Sequence, residues 1–568
     1  MSFRAKVSFR TKAAVVLAAT ALPLGVCAAQ ARPAKPAAVA APAPVAPKGP
    51  PRLLIAISVD QFSADLFAQY RQNYTGGLAR LERGVVFPSG YQSHAATETC
   101  PGHSTILTGN RPAHTGIIAN TWIDQSVTRA NKAVYCAEDE TRTAADPKDY
   151  LASVTHLQVP TLGERMKLAN PASRNIAVSG KDRAALMMGG HVIDQVYWWK
   201  GKGFTTLEGR TLGATAVAQN AAIAKVLATG APAYALPTWC AGKDRAVVAG
   251  AATVGTGRFA LAKDDANAFR ASPRLDRATL DLATRLVDEQ KLGRGMAPDM
   301  LAVSLSATDY VGHGTGTEGA EMCIQLQQLD AALGDFFAGL DKRGIDYAVV
   351  LTADHGGFDM PERLDEQALP QAKRATVDLQ ADALGKAIGG KLGLEPRGLL
   401  LSDGPFGDYW VRRDLSGELK ARVIAEARTV LLAHPQVEAV YTADEIAATP
   451  MPGGSPETWS LIQRARASYY AQRSGDFVVL QKRGVISVIK PGVGYVATHG
   501  SPWDYDRRVP MLFWRKGMVP FEQPSPVETV DIAPTLAAWI GLGVPQGAFD
   551  GRCLDLDAGP GNTCGAQP

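Results

Sequence analysis

The run Tyr347-Ala-Val-Val-Leu-Thr-Ala-Asp354-His355-Gly356-Gly357 constrains this chain most. An apolar, β-branched stretch stops abruptly in an acid, an imidazole and two glycines. That pattern predicts a strand buried on both faces, with metal-binding side chains at its carboxyl end. Leu53-Leu-Ile-Ala-Ile-Ser-Val-Asp60 follows the same plan, and so does Met300-Leu-Ala-Val-Ser-Leu-Ser-Ala-Thr-Asp309, with His313 four residues on. In open parallel sheets, sites form just beyond the carboxyl ends of strands. Three such strands side by side would gather the carboxylates and imidazoles at one edge. Taken singly, each Asp equally starts a turn or caps a helix. Taken together, two of them with a nearby His, they predict a metal centre.

The chain is longer than one hydrophobic core usually spans: 568 residues predict either several domain-sized units or one large fold with insertions. The first 31 residues read as a secretory signal peptide. Arg4, Lys6, Arg10 and Lys12 form a positive front, Ala13 to Val26 is apolar but short for a bilayer, and Ala29-Gln30-Ala31 offers small residues for cleavage. An uncleaved anchor is the weaker alternative. Val26, branched where a lipidation signal wants a small residue, disfavours a lipidated Cys27. Removing this segment takes four positive charges and no acid, so the formal net charge falls from +4 to zero. No nucleic-acid footprint follows from the charge. Residues 32–51 are mostly Ala and Pro and predict an extended linker. The mature chain keeps Cys100, Cys136, Cys240, Cys323, Cys553 and Cys564. An even count in an exported protein permits disulfides, and Cys553 with Cys564 is the one tempting local pair. No other run is long and apolar enough to cross a membrane, so no stable membrane anchor is expected. The address is periplasmic or secreted.

Ser63 to Arg83 reads as helix and Gly84 to Phe87 as a short strand. Then comes Thr97-Glu98-Thr99-Cys100-Pro101-Gly102-His103. Thr99 with Pro101 predicts a helix entrance: a hydroxyl cap followed by proline in the first turn. A helix N-terminus attracts anions, so a phosphate could sit at Thr99; plain capping is the equal alternative. Asn120 follows in a loop. Asn175 to Gly180 reads as a strand with Lys181-Asp182-Arg183 at its end, and two cations there suit an oxyanion, although a bare pair is more often solvated surface. Residues 189–297 are irregular and read as an inserted lobe. Within it, Tyr197-Trp198-Trp199 suits core packing better than a substrate entrance. A second insertion spans about 359–494, with a helix over Ser416–Ala433 and a hairpin from Phe477–Leu480 to Val485–Ile489. Thr498-His499-Gly500 follows, and Thr529 to Gly541 closes the chain as a helix.

The set Asp60, Thr99, Asn120, Asp309, His313, Asp354, His355 and His499 resembles the alkaline phosphatase superfamily, as does the closing Thr529-Val-Asp-Ile-Ala-Pro-Thr-Leu. Lys181-x-Arg183 narrows the resemblance to its threonine-nucleophile bacterial alkaline phosphatases, the PafA-like and PhoK-like group. It covers most of the mature chain; the insertions carry none of its motifs. It implies an α/β fold with a large, mostly parallel central sheet and helices on both faces, forming one catalytic domain over residues 52–568. It implies two zinc ions: one on Asp309, His313 and His499, the other on Asp60, Asp354 and His355 beside the Thr99 oxygen. It further implies that Thr99 attacks phosphorus and forms a phosphothreonine, while Asn120, Lys181 and Arg183 hold the phosphoryl oxygens of a monoester. Sulfatases of the superfamily need Cys-x-Pro-x-Arg, whereas Pro101 directly follows Cys100 here. Diesterase relatives share Thr and zinc ligands but are not expected to carry Lys-x-Arg, so a phosphodiesterase or nucleotide pyrophosphatase is the runner-up. A non-catalytic zinc- or phosphate-binding protein is the remaining alternative. His94, His103 and His114 read as packing and hydrogen-bonding residues.

Overall fold

The computed structural model describes residues 49–143 and 149–565. The expected signal peptide and almost all of the Ala/Pro linker lie outside the described residues. Ten strands build the central sheet. In chain order they are β1 (Leu53–Val59), β2 (Val85–Tyr91), β3 (Asn175–Ser179), β4 (Gln195–Lys200), β5 (Gly203–Thr205), β6 (Asp299–Leu305), β7 (Tyr347–Thr352), β8 (Arg508–Arg515), β9 (Phe521–Glu522) and β10 (Val527–Glu528). Their spatial order is β9-β2-β8-β7-β1-β6-β3-β4-β5, with β10 also paired to β2. From β7 to β4 all neighbours are parallel. Strand β8 runs antiparallel between β7 and β2, and β5 runs antiparallel on β4. The fold is α/β, with a mixed sheet that is mostly parallel.

The three acid-tipped runs do lie side by side. Leu53 is level with Asp299 on one side and Tyr347 on the other, and Ser58 is level with Ser304 and Thr352. Their carboxyl ends therefore finish together. Every residue of β1 is buried, and its side chains alternate between two cores. Leu53, Ile55, Ile57 and Val59 pack with the helices Pro273–Glu289 and Ala320–Lys342. Leu54 and Ala56 share the other core with the helices Thr99–Thr108, Asp182–Gly189 and Ile532–Trp539. Helices thus cover both faces, which is why the strand reads as a continuous apolar run. Each fully buried Leu or Ile contributes roughly 1.5–3 kcal/mol, so the site rests on a stiff platform.

Several local expectations need correction. Ser63–Arg83 is not one helix but two short ones, Ala64–Tyr70 and Gly77–Leu81, joined by a 3-10 turn over Arg71–Asn73. The Asp330 carboxylate accepts from the N–H groups of Thr75, Gly76 and Leu78 and so starts the second helix from outside. A Cβ on Gly77 would lie 2.3 Å from Leu333 Cβ, so the break also lets two helices touch. Phe477–Gln481 and Val485–Ile486 do not form a hairpin. The first pairs with Gly407–Val411 and Val437–Thr442, the second with Lys373–Arg374. The span 189–297 contains β4, β5 and Pro273–Glu289, which belong to the central sheet and its helical layer. Tyr197, Trp198 and Trp199 are buried there. The span 359–494 carries its own four-stranded sheet, with the helices Ala381–Leu392 and Gly417–Leu432 around a separate core.

The six cysteines among the described residues all pair: Cys100–Cys136, Cys240–Cys323 and Cys553–Cys564. The last is the local pair that the spacing suggested.

Candidate active site

Asp60 follows β1 directly, and Asp354 lies two residues beyond β7. Asp309 and His313 occupy one face of the helix Ala307–Thr315 after β6, four residues apart. His499 arrives on the loop before the short helix Asp504–Arg507. Two groups result. Ligand atoms of Asp309, His313 and His499 all lie within 4.8 Å of one another, and so do those of Asp60, Asp354 and His355.

The three imidazoles are oriented alike. Nδ1 faces a backbone carbonyl in each: Gly356 at 2.8 Å for His355, Ala497 at 2.9 Å for His313 and Thr97 at 2.8 Å for His499. Each Nδ1–H donates to its carbonyl, which leaves Nε2 pointing at carboxylates with a free lone pair. His355 Nε2 lies 3.4 Å from Asp60 Oδ1, and His313 Nε2 lies 3.2 Å from Asp309 Oδ1. Burial lowers His355 to about 3 and also lowers His499, so both are neutral, the form that binds a metal. Burial pushes the Asp60 carboxyl up, reinforced by Asp354 and countered by Lys181. Both Asp60 oxygens, Asp354 Oδ2 and His355 Nε2 are buried without a well-directed hydrogen bond among the described residues. Lys181 Nζ and His103 Nδ1 approach Asp60 Oδ2 and Asp354 Oδ2 but do not fill these acceptors, which are costly in a protein interior, and a divalent cation would satisfy them together. The residues therefore fit metal ions.

Thr99 is the first residue of its helix; the N-cap position belongs to Glu98. This corrects the expectation of a Thr99 side-chain cap. Glu98 has the extended backbone of a cap residue, so the Thr99 hydroxyl is left to face the site instead. Lys181 Nζ lies 3.5 Å and Arg183 Nη2 3.4 Å from Thr99 Oγ1. Lys181 also bridges the two ligand groups, 2.6 Å from Asp60 Oδ2 and 2.5 Å from Asp309 Oδ2. Burial works against its charge, yet Asp309 and Asp60 raise it overall. Asn120 Oδ1 accepts the Cys100 N–H at 2.8 Å, which ties Asn120 to the first turn of the Thr99 helix. All ten predicted site residues thus converge. A cleft of about 690 Å³ opens beside them, and its lining includes Asn120, His313 and His499 as well as Phe406, Trp410 and Tyr469.

A family model for type I phosphodiesterases / nucleotide pyrophosphatases matches residues 54–502. The chain belongs to this family. It is 56% identical over 521 residues to alkaline phosphatase PhoK of Sphingomonas sp, covering 91% of this chain and 93% of PhoK. It is 49% identical over 517 residues to alkaline phosphatase PhoD of Zymomonas mobilis, covering 90% and 89%. The crystal structure of wild-type alkaline phosphatase PafA superposes with a TM-score of 0.77 at 26% identity, covering 89% of this chain and 98% of PafA. Within the family, the resemblance to PafA-like and PhoK-like members of the alkaline phosphatase superfamily holds.

Other residues of this family member support the site without belonging to the two ligand groups. Gln61 has a left-handed backbone, φ 66°. From there its N–H donates to Asp354 Oδ1 and its Nε2 to Asp309 Oδ1, both at 3.2 Å, so one residue links both ligand groups. His103 Nδ1 lies 3.0 Å from Asp354 Oδ2 and 2.9 Å from the Thr99 carbonyl, while Nε2 meets Ser304 Oγ at 2.9 Å. These contacts bear out the hydrogen-bonding role read for His103 from the sequence; it stands four residues after Thr99, on the same helix face. Arg183 Nη1 donates to the Tyr135 hydroxyl at 3.3 Å; that hydroxyl and the Tyr150 hydroxyl both donate to Asp182. His94 is buried, and His114 is half exposed against Asp550.

Proposed function

We propose that this protein is an exported, zinc-dependent alkaline phosphatase that hydrolyses phosphate monoesters through a phosphothreonine at Thr99. The observation that carries the reading is the convergence of Lys181 and Arg183 on the Thr99 hydroxyl, beside two Asp/His groups. The named activity of the PhoK, PhoD and PafA relatives supports it.

Asp309, His313 and His499 would hold one ion and Asp60, Asp354 and His355 the other; mixed Asp/His donors suit Zn²⁺. Bound there, the ions would supply Lewis acidity at the attacking and leaving oxygens. Thr99 Oγ1 loses its proton and forms a bond to phosphorus as the bond from phosphorus to the alcohol oxygen breaks. The alcohol leaves with a proton, and its organic part occupies the cleft beside Asn120. Water then attacks the phosphothreonine, releases inorganic phosphate and restores the hydroxyl. Throughout, Arg183 grips phosphoryl oxygens through its planar fork, Lys181 acts as a point charge, and the Asn120 amide N–H donates.

Three disulfides and the basic, apolar segment 1–31 support export to an oxidising compartment. Among the described residues no helix is long and apolar enough to cross a membrane. The same reading takes residues 52–568 as one catalytic domain, elaborated over 189–297 and 359–494. The family model keeps a second reading in view, phosphodiester hydrolysis. Lys181 and Arg183 favour the monoester, which presents one more charged oxygen than a diester. The test is to incubate the protein with an aryl phosphate, quench, and map phosphopeptides by mass spectrometry. Phosphate on Thr99, and loss of turnover in Thr99→Ala with metal content retained, is the expected result. Phosphate on Thr97 or Ser104, or full activity of Thr99→Ala, would overturn it.

A further inference from the structure

The Cys100–Cys136 disulfide lies next to the reacting centre rather than at the periphery. Cys100 immediately follows Thr99, and both sulfur-bearing residues are fully buried. Asn120 sits between the two halves of the bridge. Its side-chain Oδ1 accepts the Cys100 N–H at 2.8 Å, and its backbone carbonyl accepts the Cys136 N–H at 2.9 Å. A third bond, from the Asn120 N–H to Glu98 Oε2 at 2.6 Å, completes the grip. With Oδ1 committed to a backbone donor, the amide can turn only its NH₂ toward a phosphoryl oxygen. The residue before Cys136 is Tyr135, whose hydroxyl receives the Arg183 N–H. One covalent bridge therefore joins the residue after the nucleophile to the residue after the partner of Arg183.

We propose that Cys100–Cys136 is a positioning crosslink for the two groups that hold the transferred phosphoryl. It fixes Asn120 directly and Arg183 through Tyr135, each relative to Thr99. The physical reason is distance tolerance. Asn120 lies in a loop and Tyr135 on the short strand Ala133–Tyr135, paired only with Thr121–Ile123. Neither belongs to the central sheet that anchors Asp60, Asp309 and Asp354. A displacement of about 1 Å at such donors costs on the order of 100-fold in rate. Neither cysteine is a candidate metal ligand, so the bridge acts on the oxygen-holding side of the site alone.

The inference rests on the proposed role of Asn120 and Arg183, and the experiment separates the two. Metal-loaded full-length enzyme is compared with Cys100→Ala/Cys136→Ala, Asn120→Ala and the combination, on phenyl phosphate. The bridge variant should lose about 10- to 100-fold in kcat/KM, mostly in kcat, with unchanged zinc content. In the Asn120→Ala background the same cysteine change should cost several-fold less, because the share acting through Asn120 is gone and only the share acting through Tyr135 and Arg183 remains. Equal losses in both backgrounds, or unchanged activity, would overturn the proposal. An Asn120→Ala enzyme with intact turnover would instead remove the role given to Asn120. Should the bridge be needed for folding, Tyr135→Phe keeps it and tests the second arm. Its loss of monoester kcat/KM must vanish in an Arg183→Ala background; a loss that persists there, or no loss at all, overturns the proposal.

Discussion

Arg183 Nη2 lies 3.4 Å from the Thr99 hydroxyl, and Tyr135 holds the other end of the same guanidinium. A half-buried arginine aimed at a buried hydroxyl places positive charge where phosphoryl oxygens would develop negative charge. A monoester carries about two charges near neutral pH and offers three equatorial oxygens in its transition state; a diester has one charge and one oxygen fewer. Lys181→Ala and Arg183→Ala should each cost on the order of 2–4 kcal/mol at the monoester transition state, roughly 30- to 1000-fold in kcat/KM. The loss on the matching diester should be far smaller. Side-by-side kinetics on both substrates check this, and equal losses would show that the pair does not set the preference.

Chelation should abolish turnover and lower the melting temperature, since ligands that bind only the folded state stabilise it by mass action. Zinc should restore both, at about two ions per chain. His103→Ala should weaken metal affinity by about 10- to 100-fold, because His103 orients Asp354 and is not itself a proposed ligand. Titration with a zinc buffer reads the affinity directly. An unchanged affinity would assign His103 to packing alone.

Asp276, which accepts the Ala307 N–H at the start of the helix carrying Asp309 and His313, should make stability depend on pH. Burial raises its carboxyl to about 7, although the Ala307 N–H and Gln325 Nε2 donate to it. The folded state therefore keeps a proton that the unfolded chain releases from about pH 4 upward. Stability should fall as pH rises from about 4 to about 7, by at most roughly 1.4 kcal/mol per pH unit from this group. Asp276→Asn should flatten that slope, because the amide does not titrate; among the described residues Gln325 Oε1 has no hydrogen-bond partner and could accept from it. Melting curves of both proteins between pH 5 and pH 8 test it; identical slopes would mean that Asp276 is not the titrating group.

The site was legible wherever a residue closes a regular element. Asp60 and Asp354 stand just past strands whose burial on both faces leaves an unbroken apolar run, and Asp309 follows such a strand in the first turn of the next helix, so the chemistry is punctuated by composition. Lys181 was visible for the same reason. Gln61 was not, because its role comes from a left-handed backbone angle that no pattern announces. Val485–Ile486 was misread as half of a hairpin, since a two-residue strand has no periodicity to tell its partner from its neighbour. Residues 195–200 are a sheet strand buried on both faces, so they show no alternation, and their aromatic bulk and irregular flanks hid the strand. The break at Gly76–Gly77 depends on Asp330, more than 250 positions along the chain, and long-range capping leaves no local trace.

We propose that this protein hydrolyses monoesters in preference to diesters. The direct test is kcat/KM of the zinc-loaded enzyme on phenyl phosphate and on its methyl diester, measured in the same buffer. The account predicts a monoester advantage of at least about 100-fold, the scale of one or two charge-assisted contacts at the transition state. Equal rates, or a faster diester, would contradict it and make phosphodiester hydrolysis the activity of this site.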